Sequence, residues 1–94
     1  MNFTFQEVLR LADTQKLTAT TSAATFYGDE CSYLIHNTSD VTVYLEFGEK
    51  TVIDATTDSM ELRAGDYITV RVNRMSYYAA SSAVLKLAEI MNVG

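Results

Sequence analysis

The stretch from Ser32 to Phe47, SYLIHNTSDVTVYLEF, alternates apolar and polar side chains on either side of the tetrad Asn37-Thr38-Ser39-Asp40. Before the tetrad, Tyr33 and Ile35 oppose Ser32, Leu34 and His36; after it, Val41, Val43, Leu45 and Phe47 oppose Thr42, Tyr44 and Glu46. Successive side chains of an extended chain point to opposite faces, so this period of two predicts β-strands with one covered face. The tetrad favours a turn, because its short polar side chains bond to nearby backbone groups. The expectation is an antiparallel hairpin.

Residues 1–14 read differently. Phe5, Val8, Leu9 and Ala12 have helical spacing, and Thr4 and Glu7 are placed for a capping box. Two isolated turns are marginal, so an edge strand or an extended arm are the competing readings. Downstream, Leu17 and Ala19 share one side of a small-residue tract that suits a strand near an edge. Gly28-Asp29 signals a turn, Gly48-Glu49-Lys50 a bend, and Ala64-Gly65-Asp66 a further turn. Thr51-Val52-Ile53 suggests a short strand, while Met60-Glu61-Leu62 is too brief to assign alone.

Tyr67 to Val72 alternates Ile68, Val70 and Val72 against Tyr67, Thr69 and Arg71. Asn73-Arg74-Met75 reads as another turn before a strand at 76–80, and the last strand spans Val84 to Glu89, with 90–94 extending it or leaving as a tail. Six to eight short strands predict an all-β fold: a small antiparallel β-sandwich or barrel-like sandwich of residues 15–94, preceded by an N-terminal arm or short helix over 1–14. With no proline in the chain, sheet edges must be protected by charge, bulges or partner subunits.

Ninety-four residues make one domain with a thin core, so support from an oligomer is expected. Seven basic against twelve acidic side chains give a formal charge of -5 without a basic cluster, which argues against nucleic-acid binding. No run reaches the ~18 apolar residues that span a bilayer, so no membrane partner is expected. Cys31 is the only cysteine, and a buried thiol is the plainest reading of it.

Catalytic chemistry finds little footing. His36, the only histidine, lacks a nucleophile or orienting carboxylate fixed beside it, and its spacing from Cys31 does not make a zinc site. Asp54 and Asp58 offer hard oxygens but miss the calcium-loop spacing, and Glu46 and Glu49 read as surface charges. The tyrosines Tyr27, Tyr33, Tyr44, Tyr67, Tyr77 and Tyr78 suit either packing and protein contacts or sugar stacking. No catalytic, cofactor-binding or metal-binding residue is assigned, and a non-enzyme is expected.

The hairpin YLIHNTSDVTVYLEFG, the Ala55-to-Met60 loop, Leu62-Arg63-Ala64-Gly65-Asp66 and the Tyr77-to-Leu87 region together resemble small β-rich proteins of tailed-bacteriophage virions. The resemblance covers roughly 75 residues as a pattern of turns and strands. It implies a capsid decoration or cement protein in a virion assembled in the host cytoplasm, bound to the major capsid protein or other virion proteins and acting as a homo-oligomer. A neck, tail or fibre protein is the nearest alternative, and a carbohydrate-binding module using Tyr44 or Tyr78 is a rival of another class. On this reading Phe3, Phe5, Val8 and Leu9 are the candidate subunit contacts, and Val43, Leu45, Ile68, Val70, Leu85 and Leu87 the scaffold. Modest contacts suffice in such an assembly, because many copies act together.

Overall fold

The computed structural model describes residues 9–11, 14–47 and 54–92. They form seven antiparallel strands: β1 (Leu9–Leu11), β2 (Gln15–Ala19), β3 (Ala24–Asn37), β4 (Val43–Phe47), β5 (Met60–Leu62), β6 (Tyr67–Ala79) and β7 (Ala83–Asn92). The order across the sheet is β1-β7-β3-β6-β4-β5, and β2 lies beside β7 on the same side as β1. The sheet curls into a half-barrel whose concave side is the core.

The alternating segments behave as their period demands. Ile35, Val43, Leu45, Leu85 and Leu87 are buried on the concave side, while Ile68 and Val70 are half-buried against the same cluster. Each fully buried aliphatic side chain stabilises the fold by roughly 1.5–3 kcal/mol relative to exposure. Leu9–Leu11 takes the edge-strand alternative, pairing with Asn92 to Ile90, so helix does not extend into these residues. Residues 1–8 and 12–13 of the expected arm or helix, and the strand expected at 51–53, lie outside the described residues.

The expected hairpin does not form, because β6 runs between β3 and β4. Residues 37–41 instead make an arch held by Asn37. Its Nδ2 donates to Val41 O at 2.7 Å and to Leu62 O at 2.9 Å, and its Oδ1 accepts from Ser39 N at 3.0 Å and Ser39 Oγ at 2.6 Å. Its backbone carbonyl also accepts from Gly65 N at 2.9 Å, which ties the arch to the turn before β6. That turn uses φ +82° at Gly65, a conformation that penalises a side chain.

Two further turn signals are the two sides of one bulge. From Tyr27 to Cys31, β3 advances four residues while β6 covers two, from Arg74 to Val72. Both strands run through, so Gly28-Asp29 and Asn73-Arg74-Met75 are irregular strand rather than turns. An unpaired insertion of this kind bends its strand. The bend is sharp here: Phe26 and Tyr33 stand about 23 Å apart along an ideal extended strand, yet their ring centroids approach to 5.5 Å in an edge-to-face contact. Gly28 leaves room for this meeting, since a Cβ there would lie 2.5 Å from the Tyr33 hydroxyl and 2.8 Å from the Phe26 ring.

Candidate functional site

Strand alternation gives the sheet two faces of different chemistry. On the convex face, Lys16 of β2 stands opposite Lys86 of β7, Lys86 opposite His36 of β3, and His36 opposite Tyr67 of β6. Four adjacent strands thereby contribute one transverse row, closed by an edge-to-face contact between the His36 and Tyr67 rings at 6.2 Å. Next to the row, Leu34 lies opposite Ala88, and a shallow cavity of about 160 Å³ opens between Thr14, Leu34, His36, Lys86 and Ala88. Tyr67 remains 69% exposed.

The concave side carries the opposite sign. Beyond the packed core, a groove of about 560 Å³ runs along Gln15, Phe26, Tyr27, Asp29, Tyr33 and Glu89. The Tyr33 hydroxyl, crossing the bulge, donates to Asp29 O at 2.9 Å. Burial pushes the Tyr33 phenol above its usual range, and Cys31, Glu89 and Asp29 push in the same direction; burial alone raises Tyr77.

These two phenols set an alkaline limit. Below pH 10, their ordinary value, both states hold the proton and stability is unaffected. Above it the unfolded chain ionises first, so stability falls by up to about 1.4 kcal/mol per pH unit for each phenol until the folded state also ionises. Urea melts at about pH 9 and about pH 11 should show this loss, and Tyr33→Phe should reduce its slope. A slope unchanged by Tyr33→Phe would assign the alkaline loss to other groups.

The remaining sequence candidates scatter. Phe3, Phe5 and Val8 lie outside the described residues, as does Glu49, and Leu9 begins β1 opposite Asn92. Cys31 is a half-buried free thiol on β3. Asp54 and Asp58 are exposed in a loop whose own groups bind one another, with Asp58 N donating to Thr56 Oγ1 and Thr56 N to Ser59 Oγ. Ser59 Oγ donates to Glu46 at 2.8 Å, and Ala55 N donates to the buried Ser76 Oγ at 2.8 Å, which seats this loop against β4 and β6. Among the described residues no three His, Cys, Asp or Glu side chains gather to hold a metal ion. Tyr44 and Tyr78 meet across β4 and β6 with centroids 6.0 Å apart and planes tilted by 42°, so they share no common flat surface.

No protein-family model, no curated protein and no solved structure matches the chain. With nothing matched, the labels virion, capsid and bacteriophage that the resemblance implied are withdrawn; the description that stands is a generic curled β-body. Lys16, His36 and Lys86 form no cluster along the chain and become a row only where β2, β7 and β3 lie side by side.

Proposed function

We propose that the protein is a non-catalytic structural protein that acts in multiple copies and docks through the convex face of its sheet. One observation carries this reading: the convex face joins the Leu34–Ala88 slot and the exposed Tyr67 to a rim of Lys16 and Lys86. A sheet hides an apolar face beneath a second layer, and in this fold the concave side already supplies the core. An aromatic and apolar centre bordered by charge is the make-up of a protein interface. Each Å² of apolar surface that a partner covers there contributes about 25 cal/mol before the costs of association.

Analytical ultracentrifugation over a concentration series tests the reading. Replacing Leu34 and Tyr67 together with serine should weaken association by about tenfold, the scale of losing interface anchors, with the far-ultraviolet circular dichroism unchanged. A wild-type chain that stays monomeric and binds no protein through this face would overturn the proposal, and so would a double variant that associates as wild type does.

A further inference from the structure

We infer that the convex face is occupied by the concave groove of a second copy of this chain, so that copies stack head to tail. The inference rests on the docking role proposed for the convex face and adds the identity of the partner. Its starting point is an unusual concentration of charge. Two of the three lysines and the only histidine of an acidic chain stand in one row, with Lys16 directly across from Lys86. Like charges in directly opposed strand positions repel. The ion pairs between described residues join Arg63 with Glu61 and Arg71 with Glu30, and neither uses these lysines. Carboxylates brought against the row would therefore relieve a repulsion as well as form new attractions.

The chain carries such carboxylates on the other side of the same sheet. Glu89 lies one strand position from the Leu34–Ala88 pair and faces the groove with Gln15, while the bulge sets Asp29 at its rim. Burial is the main reason the Tyr33 phenol is raised, Cys31 is next, and Glu89 and Asp29 add to it from the groove. A groove of about 560 Å³ also has room for the long lysine stems, whose methylenes would lie against Phe26 and Tyr27. Complementary patches of this kind fix register and suppress other pairings, which matters for a chain whose net charge of -5 opposes unspecific contact between copies.

The two patches differ and face opposite ways, so the contact is heterologous. A pair formed this way leaves one groove and one row free, and assembly continues into a ring or a filament according to the rotation between copies. Added salt should weaken it, since both patches are solvent-exposed at their rims.

Complementary charge reversal decides the matter. Lys16→Glu with Lys86→Glu makes the row negative, and Asp29→Lys with Glu89→Lys makes the groove positive. Each double variant alone should associate at least about tenfold more weakly than wild type. An equimolar mixture should recover association, because each reversed patch then meets its opposite. If circular dichroism shows that the groove variant is unfolded, Asp29→Asn with Glu89→Gln replaces it and should weaken association without any mixing. Folded variants that associate normally, or a mixture that fails to recover, would overturn the inference. If Leu34→Ser with Tyr67→Ser still abolishes association in that case, the convex face docks another occupant and only the head-to-tail arrangement falls; if it does not, the docking role falls as well.

Discussion

Replacing Asn37 with alanine is expected to lower the free energy of unfolding by about 3–4 kcal/mol, a large part of the 5–15 kcal/mol that holds a small domain folded. The side chain is fully buried. Its amide nitrogen serves two carbonyls that belong to different connections, Val41 O in the arch and Leu62 O at the end of β5. Alanine leaves Leu62 O without its donor at a buried position. Each such orphaned group costs about 1–3 kcal/mol, and the Ser39 groups that bonded to Oδ1 lose their acceptor too. Asn37→Asp should be at least as damaging at neutral pH, since it turns a donor into a carboxylate oxygen facing two carbonyls, and acidification should lessen the difference. Urea denaturation with an unchanged m-value checks both variants. A loss below about 1 kcal/mol would mean that the arch does not depend on this amide.

Ile35→Ala is expected to destabilise by about 3 kcal/mol, whereas Leu34→Ala next to it should cost about 1 kcal/mol or less. Ile35 is fully buried at the centre of the sheet, between Ile68 of β6 and Leu87 of β7. Truncation there removes its transfer energy and leaves a cavity that strands paired on both sides cannot close. Leu34 faces the convex side and lines a shallow slot already open to solvent. The comparison tests the face assignment with two side chains of similar size. Equal losses at both positions would mean that the convex side is covered in the free protein.

The strand faces could be read from the sequence because alternation is local: Tyr33, Ile35, Val43 and Leu45 needed only their immediate neighbours. The connections could not. Asn37-Thr38-Ser39-Asp40 has the chemistry of a turn whether the chain doubles back or arches over another strand, and the choice depends on Leu62, whose carbonyl takes the Asn37 amide. Gly28-Asp29 likewise looks like a turn until Asn73 and its neighbours stand across from it. The basic row was hidden for the same reason. Lys16, His36 and Lys86 form no pattern along the chain and become neighbours only because β7 runs between β2 and β3.

That placement of β7 also dictates when the molecule can take shape. β7 is a wedge between β2 and β3, and its far end sits beside Leu9–Leu11. A chain that lacks Ala83–Asn92 has β2 and β3 on either side of an empty lane, each with unpaired backbone groups. The sheet therefore closes only once Ala83–Asn92 has been made, and a chain cut short before that strand is a sticky fragment rather than a smaller version of the same body.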